Sequence, residues 1–221
     1  MNMITNHPDL AMLAHYVSGQ LDPLNALLVA AHVDLCCHCQ QQVAALEARQ
    51  AEAWLGQEVA QDDDPQLGAM LQQILTVPVA QPEAQQPVAS QLLSVAGRQF
   101  ELPRSLNRFT ANAKPWRRFG SKLWQSRLEF GPRTLQLLYM DINGRVPEHT
   151  HNGQELTLVL HGGFEDGDGE YSAGDLVLRN GQHRHAPTAS HESCLCIALT
   201  DAPLHFTSGV GRLLNPIARW L

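Results

Sequence analysis

GRVPEHTHNGQELTLVLHG, residues 144–162, sets two histidines two positions apart, ends in an apolar run and is bounded by glycines. Side chains two apart on a strand project to the same face, so His149 and His151 point together. After a turn, Glu155 is predicted to return from the adjacent strand to the same side. Two imidazoles and a carboxylate gathered in this way are metal ligands by type. On either side the pattern repeats as LQLLYMDI (135–142), GDLVLRNG (174–181) and SCLCIALTD (193–201). Short alternating apolar runs separated by glycine-rich turns predict an antiparallel β-barrel or jelly roll from about Leu92 onward.

A fourth ligand should come from a later strand. GDLVLRNGQHRHAP (174–187) offers His183 and His185, and period-two alternation leaves both on one side. The spacing G-x4-H-x-H-x3-E-x6-G over Gly144, His149, His151, Glu155 and Gly162 is similar to the first signature of cupins, whose usual form has one more residue before the first histidine. The second cupin signature, G-x5-P-x-G-x2-H, starts at Gly174 and maps its histidine onto His185. Asn180 and Gln182 stand where that family usually has Pro and Gly. The resemblance implies a barrel holding a divalent metal on His149, His151, Glu155 and His185, a set that accommodates Zn2+, Mn2+, Fe2+ or Ni2+. Cys194 and Cys196 lie two apart on a later strand and read as small apolar residues facing the interior, with redox sensing as the competing reading.

The front of the chain has a different period. HPDLAMLAHYVSG carries Leu10, Leu13 and Val17 at helical spacing, and DPLNALLVAAHVDLC opens with Asp22 as N-cap and Pro23 at the first helical position. HCQQQVAALEARQAEAWLGQEV is rich in strong helix formers. Beyond QDDDP, Leu67, Met70, Leu71, Ile74 and Leu75 form one apolar stripe. VPVAQPEAQQPVAS, with three prolines and no apolar periodicity, reads as a linker. The expected organisation is therefore multidomain α + β: a helical domain over residues 1–77, a Pro/Gln-rich linker over 78–91 and a barrel over 92–221.

AAHVDLCCHCQQQ, residues 30–42, gives the helical part its chemistry. His32 and Cys36 are four apart and share a helix face, and Cys39 joins them if the helix breaks near CCHC. A tetrahedral zinc ion needs one more donor. His7 supplies it if the first helix folds back on the second, and His15 is the alternative. Cys37 and His38 point off the shared face. HPDLAMLAHYVSGQLDPLNALLVAAHVDLCCHCQ resembles the N-terminus of ChrR-type zinc anti-sigma factors, in which a His followed by H-x-x-x-C-x-x-C binds zinc. Mapped position by position, those ligands are His7, His32, Cys36 and Cys39. A cupin half and a C-terminal stretch like DAPLHFTSGVGRLLNP also resemble that family. The resemblance implies a partner, an extracytoplasmic-function-type sigma factor. It also implies an oxidative signal, such as singlet oxygen or organic peroxide, which is expected to be read either by oxidation or small-molecule binding at the cupin metal or by proteolysis of the VPVAQPEAQQPVAS linker.

Charge agrees with a protein partner. Residues 1–90 hold ten carboxylates against Arg49 alone, a net of −9, while the rest carries +2. So acidic a region is repelled by phosphate backbones and suits a basic protein. MNMITNHPD lacks the features of a signal peptide, and no apolar run approaches the roughly 20 residues a membrane span needs, so the expectation is cytoplasmic. In a reducing compartment, clustered cysteines are metal ligands more often than disulfides. The alternative is a metal-dependent, dioxygenase-like cupin enzyme with an accessory helical domain. A third reading gives the helices only an oligomerising role. The regulator, not an enzyme, accounts for the acidic apolar front half.

Overall fold

Asp9 and Asp22 start the first two helices. Asp9 accepts the Met12 N–H at 2.7 Å at the head of α1 (Leu10–Val17). Asp22 accepts the Leu24 N–H at 3.0 Å at the head of α2 (Pro23–Leu35), where Pro23 gives up an N–H that would have had no helical partner. Cys36 has extended backbone (φ −111°, ψ 104°) and breaks the chain between α2 and α3 (Cys37–Leu55). A fourth helix, α4, spans Pro65–Thr76. The computed structural model describes residues 3–56, 65–78, 92–131, 133–151, 153–181, 183–201 and 204–207. Residues 79–91, most of the expected linker, therefore lie outside the described residues.

The rest of the chain is β-rich. Its elements are β1 (Leu93–Val95), β2 (Arg98–Phe100), α5 (Arg104–Asn107), β3 (Arg117–Phe119), β4 (Leu123–Phe130), β5 (Arg133–Met140), β6 (His149–His151), β7 (Glu155–His161), β8 (Gly163–Asp166), β9 (Gly169–Ser172), β10 (Leu176–Arg179), β11 (Cys194–Thr200) and β12 (Leu204–Phe206). Six strands form one sheet in the order β10-β7-β11-β5-β4-β3, and β1–β2, β6–β12 and β8–β9 form two-stranded ribbons. All strand pairs are antiparallel. Helices in front of antiparallel β structure are the class the sequence predicts. The sheet does not close on itself among the described residues.

Alternation along the central strands serves two cores. Leu135, Leu137 and Tyr139 of β5, Leu156 and Leu158 of β7, and Leu195 and Ile197 of β11 belong to a cluster shared with Leu28 of α2 and Phe100 of β2. The intervening residues Leu138, Met140, Val159, Cys194 and Cys196 pack in a second cluster on the opposite face. This explains why LTLVL is buried along its whole length and apolar at all positions but Thr157: both of its faces are covered. Residues 1–46 and 90–221 form one compact unit and residues 47–89 another. In the first, the Asp34 carboxylate of α2 accepts from the backbone N–H and hydroxyl of Ser105, and Asp22 pairs with Arg133. In the second, α4 buries none of its residues. No helix among the described residues is long and apolar enough to cross a membrane.

Candidate metal centres

Four donors meet at the break between α2 and α3. His32 comes from the last turn of α2, Cys36 from the break, Cys39 from the first turn of α3, and His7 from the segment before α1. Their ligand atoms all lie within 4.8 Å of one another. His32 Nε2 is 3.2 Å from Cys39 Sγ, while His7 Nδ1 is 3.4 Å from Cys36 Sγ and 3.5 Å from Cys39 Sγ. His32 and Cys39 are fully buried and Cys36 nearly so. His15 is exposed on α1 and Cys37 is exposed, so neither joins the group. The exposed His38 ring lies against His7, with centroids 5.0 Å apart and planes tilted by 51°.

Burial keeps both Cys39 and His32 in their neutral forms. Burial pushes the Cys39 thiol up to about 12, with the neighbouring Cys36 adding to the effect. Burial lowers the His32 pKa, so its imidazole is neutral. Two imidazoles and two cysteine sulfurs, their ligand atoms all within 4.8 Å of one another, are the donor set of a closed tetrahedral zinc site, and the four residues fit that ion.

The second cluster lies in the cavity of the β-rich half, whose volume is about 350 Å³. Its walls include Phe119, Leu138, Met140, Phe164, Val177 and Cys196, and its polar side holds His149, Glu155, Asp166, Arg179 and His185. His149 and His185 form an isolated antiparallel bridge, each backbone N–H donating to the other's carbonyl at 3.0 and 3.1 Å. Their rings lie 4.4 Å apart, and His185 Nε2 is 3.7 Å from Glu155 Oε2. Glu155 was expected on the strand adjacent to the histidines. Instead β6 pairs with β12, and Glu155 pairs with Arg179 of β10 and Thr200 of β11. His151 is on β6, but its side chain lies outside the described residues. His183, which spacing alone left interchangeable with His185, has Nδ1 2.8 Å from Asn180 Oδ1. His149, Glu155 and His185 are ligands for a divalent cation by type, with Glu155 placed against His185 and Nδ1 of His149 2.9 Å from the Pro147 carbonyl oxygen.

Asp166 and Arg179 escaped the sequence reading. Asp166 Oδ2 is 3.3 Å from both His185 Nδ1 and Arg179 Nη2, and Arg179 also donates to the Tyr171 hydroxyl. Burial alone raises the Asp166 pKa, but His185, the Asp168 N–H and Arg179 outweigh it and hold the carboxyl at about 2. Neither residue belongs to a spaced motif, and only strand pairing brings them to the cluster. Gly162, last in the first signature, has φ +66°, and a Cβ there would lie 1.8 Å from the Ser193 carbonyl oxygen. Only glycine fits.

A family model described as the ChrR Cupin-like domain matches residues 107–203. The anti-sigma-E factor ChrR of Cereibacter sphaeroides is 32% identical over 225 residues, covering 98% of this chain and 99% of that protein. The crystal structure of Rhodobacter sphaeroides SigE in complex with the anti-sigma ChrR is similar with a TM-score of 0.66 and 28% identity, covering 90% of this chain and all of the matched chain. A relative this similar over nearly its whole length assigns the family: the chain belongs to the ChrR anti-sigma factors, with a cupin-like domain in its second half.

Proposed function

We propose that this chain is a cytoplasmic regulator that sequesters an extracytoplasmic-function-type sigma factor and releases it when the cupin half senses oxidative stress, as singlet oxygen or organic peroxide. One observation on the molecule carries the binding half of this reading. Leu71, Ile74 and Leu75 on α4 are 54%, 65% and 68% exposed, and Trp54 and Leu55 at the end of α3 are more exposed still. An amphipathic helix with its apolar face in water fits a groove on a partner, and the net charge of −9 over residues 1–90 suits a basic one. The relative's solved complex with SigE supports a sigma factor as that partner. A dioxygenase needs no such surface, and the family is one of regulators rather than enzymes.

Zinc on His7, His32, Cys36 and Cys39 would be structural, a four-ligand clamp tying short segments whose own core is small. His149, His151, Glu155 and His185 would hold the second metal, which as a Lewis acid with an open position can bind or react with an oxidant. The cavity that these residues line is otherwise walled mainly by apolar side chains.

Co-expression tests the reading. Produced with an extracytoplasmic-function-type sigma factor from its own genome, the chain should purify as a tight heterodimer, and Leu71→Glu with Ile74→Glu should abolish the complex while leaving thermal unfolding within about 0.5 kcal/mol of wild type, as for exposed positions. Failure of every such sigma factor to co-purify would sink sequestration. Survival of the complex in the double variant would remove α4 from the interface. Exposing the heterodimer to singlet oxygen or an organic peroxide should free the sigma factor, and replacing Glu155 should blunt that release. A complex indifferent to both oxidants would overturn the sensing half.

A further inference from the structure

The first metal centre is held from the β-rich half as well as from its own helices. His32 Nδ1 lies 2.6 Å from the carbonyl oxygen of Gly174, in the turn between β9 and β10. A carbonyl can only accept, so Nδ1 carries the proton and the Nε2 lone pair is left facing Cys39 Sγ. The next residue, Asp175, is fully buried. Its Oδ1 accepts the backbone N–H groups of Thr5 and Asn6, each at 2.8 Å, and its Oδ2 accepts the Ser172 N–H at 2.8 Å. The Leu176 N–H donates to the Asn6 carbonyl at 3.0 Å. Residues 5 and 6 are therefore fixed along the start of β10, and the residue they deliver is His7.

Glycine at position 174 is required by the same contact. Its φ is +98°, and a Cβ there would stand 2.3 Å from Ile4 Cδ1. Ile4 packs directly on the turn, so the segment carrying His7 is pinned by an apolar contact and three backbone hydrogen bonds. Two of the four donors, His7 and His32, come from different segments of the helical part, and one short turn between β9 and β10 contacts both. Groups that orient metal ligands without touching the ion typically change metal affinity 10–100-fold when removed.

We propose that the Gly174–Asp175 turn is a working part of the His7, His32, Cys36 and Cys39 centre, with the Gly174 carbonyl and the Asp175 carboxylate as positioning groups, so that the helices hold their metal tightly only while docked on the β-rich half. The proposal rests on those four residues being metal ligands. It also gives the two halves a direct connection. The strand that begins at this turn ends at Arg179, which pairs in register with Glu155 and holds Asp166 against His185.

Cobalt titration of the full chain in a Cys196→Ala background tests it: the His149, His151, Glu155 and His185 set has no sulfur donor, and with Cys196 removed from the cavity wall a thiolate-to-cobalt charge-transfer band reports the first centre. In that background the band should appear at one ion per chain, and its absence would overturn the ligand reading before any further variant is made. Asp175→Ala should weaken the cobalt affinity read from this band by about 10–100-fold. Asp175→Asn, which keeps an acceptor for the Thr5 and Asn6 N–H groups, should restore most of it. Should Asp175→Ala fail to fold, Ile4→Asp lifts the same segment without touching the cavity and should show the same loss. Cobalt affinity equal to that of the background protein in either folded variant would overturn the proposal.

Discussion

The Asp166 carboxylate stands 3.3 Å from Nδ1 of His185, and this contact decides which imidazole nitrogen serves the cavity. An ionised carboxylate accepts only, so it keeps the proton on Nδ1 and turns Nε2 toward Glu155, 3.7 Å away. Arg179 fixes the carboxylate from its other side, at 3.3 Å. The first centre uses the same device with a backbone carbonyl, that of Gly174, in place of a side chain.

Asp166→Ala is therefore expected to weaken metal binding at the cavity by about 10–100-fold while leaving the thiolate centre loaded. Metal analysis after graded chelation should show one of two bound ions leaving early. Equal retention of both ions would mean that His185 is oriented without Asp166. The variant also has a pH signature. A carboxyl held at about 2 against an ordinary value near 4 contributes stability that is present above about pH 4 and lost as pH falls toward 2. The difference in unfolding temperature between wild type and Asp166→Asn should shrink over that window and not above it.

The two centres differed in how far the sequence disclosed them. His32, Cys36 and Cys39 lie within eight residues, where helical geometry and a single break settle who meets whom, so local spacing was enough. Asp166, Arg179 and Asp175 act only through strand register and the docking of a distant segment, and no local period marks them. The choice between His183 and His185 shows the limit most plainly. Alternation puts both on one side, and it is a side-chain contact with Asn180 that engages His183. The apolar run of β7 signalled burial, but not that α2 would cover one face of it, because that depends on packing between segments more than a hundred residues apart.

Loading of the first centre should release protons. The Cys39 thiol, pushed up to about 12 by burial and by Cys36, stays protonated at neutral pH in the metal-free chain, whereas a metal takes the thiolate. Each proton displaced makes apparent affinity rise about tenfold per pH unit below the thiol pKa. Calorimetric zinc titrations in buffers of different ionisation enthalpy should give heats that differ by at least one proton per ion. Heats independent of buffer would mean that Cys39 is not deprotonated on binding and is not a ligand.

Asp22 gives a prediction far from either metal. It caps α2 through the N–H groups of Leu24 and Asn25 and pairs with Arg133 on β5. Burial works to raise its pKa, but Arg133 and the two N–H groups outweigh it, so the carboxyl sits below its ordinary value. The ion pair is more than one third exposed on both sides and is screened, which leaves the cap as the larger contribution. Asp22→Ala should cost about 1 kcal/mol at neutral pH, the usual price of losing such a cap. Because the folded-state pKa is depressed, this contribution exists above the unfolded carboxyl value near 4 and fades as pH falls below it. Asp22→Asn, which caps helices as well as Asp, should lose only the charged part at neutral pH. Denaturant unfolding of the three proteins at pH 7 and pH 3 separates the effects. A cost for Asp22→Asn equal to that for Asp22→Ala at pH 7 would show that the ion pair with Arg133, and not the cap, is what Asp22 supplies.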